Sequence, residues 1–244
     1  MNTLTQVLDS IAIVGAGRVG TALAAALTAA GERVHGPFHR GDRLTDTRVV
    51  LLCVPDREIA NAAARVREDA LVGHVSASAP LSLLEPHERF NFHPLLSITG
   101  ARASFAGATC AIDASSDYGF AIARCIAALL KMHPRIIPAE KRALYHAAAS
   151  TAANYVTTVL GAAELLAGEA GLAREALRPL VQSAVDRWME TGAAVSLTGP
   201  IARGDEDTVA LQHAAVAAQM PQLLPLWDAL AEGTRRLAAR RGDA

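Results

Sequence analysis

The sequence predicts an α/β fold in which a doubly wound, largely parallel sheet is followed by a smaller all-helical domain. Three observations carry this. Short apolar runs alternate with helical runs up to Pro138, a glycine-rich turn joins the first such pair, and every segment after Pro138 reads as helix. Ile11–Gly15 is a compact apolar strand, and Thr21–Ala30 is a helix of small residues with Gly31 placed to end it. Arg33–Phe38 is a second strand. Val49–Val54 is continuously apolar, as expected of a strand buried on both faces. Ile59–Glu68 is a helix and Leu71–Ser76 a strand. Ala108–Asp113 and Arg135–Ile137 are strands flanking a helix over Asp117–Met132. Beyond Pro138, helices are expected over Ala139–Gly168, Leu172–Met189, Asp205–Gln219 and Pro221–Arg240. The expected domains are therefore residues 1–138 and 139–244.

Composition narrows the classes. Of 244 residues, 51% are hydrophobic and 19% charged, which argues for a packed core rather than disorder. Aromatics are only 4%, so the core relies on small and aliphatic side chains. Lys plus Arg is 23 and Asp plus Glu is 24, a net charge of −1, which suits neither a nucleic-acid groove nor an anionic membrane surface. Cys53, Cys110 and Cys125 are widely spaced in apolar runs and form no metal pattern, so reduced, buried thiols are expected. The start, Met1 to Gln6, lacks the basic and apolar regions of a signal peptide, and no run reaches the roughly 18 apolar residues of a membrane span. A cytoplasmic protein is the expectation.

The strongest motif is Gly15-Ala16-Gly17-Arg18-Val19-Gly20. It follows an apolar strand and opens a helix, the context in which such a motif binds a dinucleotide. Gly15 permits the tight turn, Gly17 lets backbone approach a pyrophosphate, and Gly20 allows close packing of helix on strand. Amides freed at the helix start favour an anion. The fold class is therefore Rossmann-type. An acid at the end of the second strand would bond a ribose 2′-hydroxyl, but Phe38-His39-Arg40-Gly41-Asp42 places Arg40 there. A guanidinium suits a 2′-phosphate, with His39 assisting, so NADPH is expected in preference to NADH. Asp42 is the competing acid, placed late. Val54-Pro55-Asp56 and Ser76 end later strands, where backbone can line the ribose and nicotinamide. Asp56 is also placed to cap the following helix, and the sequence favours that role.

Taken with Phe92-His93-Pro94-Leu95, Tyr145-His146-Ala147-Ala148-Ala149, Asn154 and Leu197-Thr198-Gly199-Pro200-Ile201-Ala202-Arg203-Gly204-Asp205, these motifs resemble a family of Rossmann-like proteins with a helical C-terminal domain of unknown function. That family is similar in architecture to pyrroline-5-carboxylate reductases and 6-phosphogluconate-type dehydrogenases, and one branch is an alternative ketopantoate reductase. The resemblance implies a reductase fold and a dimer formed through the helical domain. It also implies Thr198 and Arg203 as substrate contacts. One departure concerns the Lys and Asn that β-hydroxyacid dehydrogenases carry four residues apart. Here Tyr145 stands four residues after Lys141.

In the helix after Pro138, His146, Ser150 and Asn154 recur at four-residue spacing and fall on one face. His146 is the candidate proton donor to a carbonyl oxygen, with Ser150 and Asn154 bonding substrate or orienting the imidazole. Lys141 points to the opposite side and is the next candidate. His93 is expected in a loop over the cleft, as a substrate contact or a structural imidazole. The composite expectation is an NADPH-dependent homodimeric reductase of a small 2-oxo acid, ketopantoate-like by resemblance, or of an imine. The competing readings are a cofactor sensor without turnover and a structural dimer with a vestigial site.

Overall fold

A computed structural model of the chain describes residues 9–100 and 103–240. Met1 to Gln6, on which the reading of the N-terminus falls, lie outside the described residues. The chain forms two compact units, residues 1–153 and 154–244.

The first unit is a seven-stranded sheet in the order β2-β1-β3-β4-β5-β6-β7. The strands are β1 (Ile11–Val14), β2 (Val34–Phe38), β3 (Val49–Leu52), β4 (Leu71–His74), β5 (Glu88–Pro94), β6 (Thr109–Ala114) and β7 (His133–Ile136). Neighbours pair in parallel except β5 with β6, so β6 and β7 run against the other five. Helix α1 (Arg18–Ala29) joins β1 to β2, the short α2 (Ile59–Ala63) joins β3 to β4, and α3 (Asp117–Leu129) joins β6 to β7. Strands β1 and β3 are apolar at every position because both faces are covered. Ile11, Ile13 and Leu51 bury with Leu23 and Leu27 of α1 and Ile122 and Ile126 of α3. Ala12, Val14, Val50 and Leu52 turn to the other face, with Ile59 and Ala63 of α2. Helix α3 begins at Ser116, whose hydroxyl accepts the Gly119 N–H at 3.0 Å.

Two expectations are corrected. First, residues 88–94 form β5 rather than a loop. Phe90 and Phe92 are fully buried on one face, and Asn91 and His93 alternate onto the other. Pro94 is tolerated because β5 pairs with β4 only over Glu88–Asn91, leaving the proline beyond the parallel ladder. Second, the units part after Ala153, not at Pro138. Helix α4 (Arg142–Ser150) stays with the sheet because Arg142, 6% exposed, donates to Asp113 of β6 at 3.2 Å.

The second unit comprises α5 (Val156–Glu169), α6 (Arg178–Thr191), α7 (Ala193–Ser196), α8 (Pro200–Arg203), α9 (Glu206–Gln219) and α10 (Leu224–Ala239). Helix α10 packs on α7, α8 and α9. Asp205 caps α9 as expected: its carboxylate accepts the Thr208 N–H at 3.1 Å and the Thr208 hydroxyl at 2.8 Å, holding its pKa down. Among the described residues no single helix is long and apolar enough to cross a membrane.

Candidate functional site

In open α/β sheets ligands lie outside the carboxyl ends of the strands, where the strand order reverses. Here β2 lies on one side of β1 and β3 on the other. At that point a cleft of about 550 Å³ opens, lined by Gly15, Ala16 and Gly17, by His39 and Arg40 after β2, by Val54, Pro55 and Glu58 after β3, and by Arg65.

The three glycines have separable reasons. Gly15 has φ of +111°, and a Cβ there would meet the Cys53 carbonyl oxygen at 2.3 Å. A Cβ on Gly20 would meet the Gly15 carbonyl oxygen at 1.9 Å. Both are required by the turn and by helix-on-strand packing. Gly17 is different. Its φ of −77° is open to any residue, and a Cβ there would meet nothing within 4 Å. Protein packing therefore does not require glycine at position 17. The space beside it faces the cleft at the N-terminus of α1, where unsatisfied amides attract anions.

At the end of β2, Asp42 is committed to its own turn. Its carboxylate accepts the His39 N–H at 2.7 Å, and the Asp42 N–H donates to the His39 carbonyl at 3.2 Å. Arg40 lines the cleft and pairs with Glu58 at 3.1 Å. Glu58 and Arg65 were not singled out in the sequence. They sit 18 and 25 residues beyond Arg40 and reach the cleft only because β3 is neighbour to β1.

Asp56 does not cap a helix. Its Oδ2 accepts the Ser76 hydroxyl at 2.8 Å and the Ser78 hydroxyl at 3.3 Å, tying the end of β3 to the end of β4. Ser76 Oγ in turn accepts the N–H groups of Ser78 and Ala79 at 3.2 and 2.9 Å. Its hydroxyl hydrogen is thus spent on Asp56, and Ser76 shapes the rim. Behind it, Asn91 Nδ2 donates to the carbonyls of His74 and Ser76 at 3.0 and 2.8 Å. The Ser76 N–H points at His74 Nδ1 at 3.2 Å, which leaves the ring hydrogen on Nε2.

His93 and Tyr145 meet at the far side of this edge. His93 Nδ1 lies 2.8 Å from Tyr145 Oη, with the rings edge to face at 5.6 Å. Burial pushes the Tyr145 hydroxyl up to about 12, so it keeps its hydrogen at neutral pH. Burial, then the nearby His146 and Arg142, push His93 down to about 4. With both groups neutral, the phenol can donate to Nδ1, an arrangement that puts the His93 hydrogen on Nε2. Tyr145, which stands in place of the dehydrogenase Asn and belongs to the motif that carries the family resemblance, is thus the partner of His93. Its partner on β5 was hidden by the missed strand.

The other candidates divide. His146 is exposed on α4 beside Tyr145, and Ser150 closes that helix. Thr151–Tyr155 is π-helical, with i→i+5 in place of i→i+4 hydrogen bonds. Asn154 begins the second unit. Lys141 is exposed in the 3₁₀ turn that enters α4. In the second unit Thr198 lines a cavity of about 370 Å³ with Ser183, Arg187 and Trp188, whereas Arg203, the last residue of α8, does not line it. Cys53 and Cys110 form no disulfide, and burial pushes Cys53 up to about 12 and Cys110 up to about 11. These thiols stay protonated and inert.

Burial, with an added push from Arg142, likewise drives His74 down to about 4. Both histidines are neutral in the folded protein, while the unfolded chain takes up protons near 6.5. Stability from this source is complete above about pH 6.5 and is lost as pH falls toward 4. A melting temperature that falls steadily between pH 6.5 and 4 is the expected result of thermal unfolding. A flat profile over that window would mean that neither imidazole is held neutral.

A mostly parallel sheet with a glycine turn at its switch point and a helical C-terminal region defines a Rossmann-type α/β protein. The chain belongs to the family described as a domain of unknown function, DUF2520, which matches residues 108–234. No curated protein matches the sequence. Among solved structures, a protein of Bacteroides fragilis described as an NADP oxidoreductase is similar at 22% identity, with 94% of this chain and 99% of that one covered and a TM-score of 0.82. A reductive aminase from Aspergillus terreus, in complex with NADPH and ethyl levulinate, is 15% identical over 95% of this chain and 97% of its own, with a TM-score of 0.69. The pyrroline carboxylate reductase of Plasmodium falciparum, with NADP bound, is 11% identical over 94% and 98%, with a TM-score of 0.60. The architecture expected from the sequence, including its likeness to pyrroline carboxylate reductases, is thereby established.

Proposed function

We propose that the protein is an NADPH-dependent reductase of a small 2-oxo acid, with ketopantoate the first candidate. The observation that carries the reading is Gly17: a glycine that no protein contact requires, at a helix N-terminus, beside a cleft with two guanidinium groups. The residues present fit the cofactor. The amides following Gly15 would hold the pyrophosphate, Arg40 the 2′-phosphate with His39 beside it, and Val54 and Pro55 the ribose. Asp56 and Ser76 would border the nicotinamide end. Bound NADPH supplies the hydride. His93 offers its Nε2–H to the carbonyl oxygen, held in that tautomer by Tyr145, and His146 delivers the proton. Ser150 is assigned to the substrate, with Lys141 the reserve acid.

A cyclic imine is the second reading, supported by the fold shared with the reductive aminase and the pyrroline carboxylate reductase. The protein acts as a homodimer paired through its helical unit, where Val156, Val159 and Leu160 of α5 and Leu180, Trp188 and Met189 of α6 are exposed. Light scattering reads the mass directly. The deciding experiment follows the absorbance of the reduced nicotinamide while 2-oxo acids and cyclic imines are screened. Loss of absorbance with a 2-oxo acid is expected. Tight NADPH binding with no turnover across both classes would leave a cofactor sensor instead.

A further inference from the structure

We propose that Glu58, Arg40 and Arg65 form one charge set that reads the ribose 2′ position, in which Glu58 holds Arg40 in the free protein and is displaced from it by the 2′-phosphate. This rests on the reading of the cleft as an NADPH site. All three side chains line the same cleft. Glu58 Oε2 lies 3.1 Å from Arg40 Nη2, and Glu58 Oε1 lies 3.8 Å from Arg57 Nε. The pair is asymmetric: the Glu58 side chain is 26% exposed and that of Arg40 is 82% exposed. The carboxylate is the inner, fixed member, and the guanidinium is the arm free to move.

Arg65 comes from beyond α2 and donates to the Asp42 carbonyl at 2.5 Å. It thereby anchors the turn that carries Arg40 and keeps its own charge at the same wall. Asp42, the acid nearest in sequence, has its carboxylate on the His39 N–H. Glu58 is thus the acid that shares the cleft with Arg40.

An exposed ion pair is weak, whereas a phosphate offers two charges and several acceptors to a guanidinium. The phosphate therefore wins Arg40. Glu58 is left facing it as a like charge, which tempers the preference for the phosphorylated cofactor. A 2′-hydroxyl does not contest Arg40 and leaves the pair intact. Glu58 is consequently a specificity residue that works by competition, and Arg65 is a second cation for the phosphate.

The test is calorimetric titration of the full chain with two fragments that differ at the 2′ position, 2′,5′-ADP and 5′-AMP, and with NADPH and NADH. Glu58→Gln keeps the shape and removes the charge. It should tighten 2′,5′-ADP and NADPH about three- to tenfold and leave 5′-AMP and NADH within about twofold. Glu58→Ala should act in the same direction, which guards against an effect of the new amide. Arg65→Gln should weaken 2′,5′-ADP about tenfold and spare 5′-AMP. If Glu58→Gln leaves 2′,5′-ADP unchanged, or weakens NADH because Glu58 binds the ribose hydroxyls, the proposal is overturned while the cleft remains a cofactor site. Equal loss of both fragments in Arg65→Gln would make Arg65 a mere loop anchor and overturn its part. If the parent protein binds neither NADPH nor NADH, the reading of the cleft itself fails.

Discussion

Gly17→Val abolishes NADPH binding and leaves the fold intact. The backbone at Gly17 is in a conformation open to any residue, and a side chain there meets no protein atom within 4 Å. The melting temperature should therefore hold, or rise slightly as the unfolded chain loses freedom. A branched side chain would stand where the pyrophosphate approaches the α1 amides. Losing two charge-assisted hydrogen bonds, each worth about 1.5–3 kcal/mol, weakens binding by at least about a hundredfold. The neighbouring glycines give the contrast. Gly15→Ala and Gly20→Ala press a methyl group onto the Cys53 and Gly15 carbonyls, so both should lower the melting temperature before affinity can be judged. Circular dichroism and calorimetry on the three variants separate the two kinds of glycine. Unchanged affinity in folded Gly17→Val would move the cofactor elsewhere.

Removal of the His146 or the His93 imidazole lowers turnover steeply without touching cofactor affinity. His146→Ala should reduce kcat by roughly two to four orders of magnitude, the usual range for a lost general acid. His93→Ala should cost about two to three orders through the lost donor at the carbonyl oxygen. Tyr145→Phe is the finer probe. It frees His93 Nδ1 from its 2.8 Å partner, so the ring can carry its hydrogen on either nitrogen, and turnover should fall less than in His93→Ala. Near-normal kcat in folded His146→Ala would pass the proton to His93 or to Lys141. Near-normal kcat in His93→Ala would make the His93–Tyr145 contact a packing device of β5 and α4.

The parts of this account that sequence could reach are those written in local pattern. The strand Ile11–Val14, the glycine turn and helix α1 form a contiguous signal, and Arg40 stands where an acid is ordinarily found. What escaped depends on pairings between distant segments. Strand β5 mixes Glu88, Arg89, Asn91 and His93 with two phenylalanines and ends on Pro94, a pattern that reads as a loop unless its neighbours are known. Losing β5 lost the His93–Tyr145 contact across 52 residues. The π-helical turn at Thr151–Tyr155 has no sequence mark, since Thr-Ala-Ala-Asn-Tyr is compatible with an ordinary helix. Asp56 reads as a helix cap because a helix is expected just after it. Its real partners, Ser76 and Ser78, lie one strand away. Glu58 and Arg65 were passed over for the same reason.

The central claim is that the cleft between β1 and β3 holds a phosphorylated nicotinamide dinucleotide with Arg40 on its 2′-phosphate. Calorimetric titration of the purified parent protein with NADPH and with NADH tests it most directly. The account predicts saturable binding of NADPH, tighter than NADH by about tenfold or more, with that preference lost in Arg40→Asp. Equal affinities for the two cofactors, or no heat from either, would contradict it.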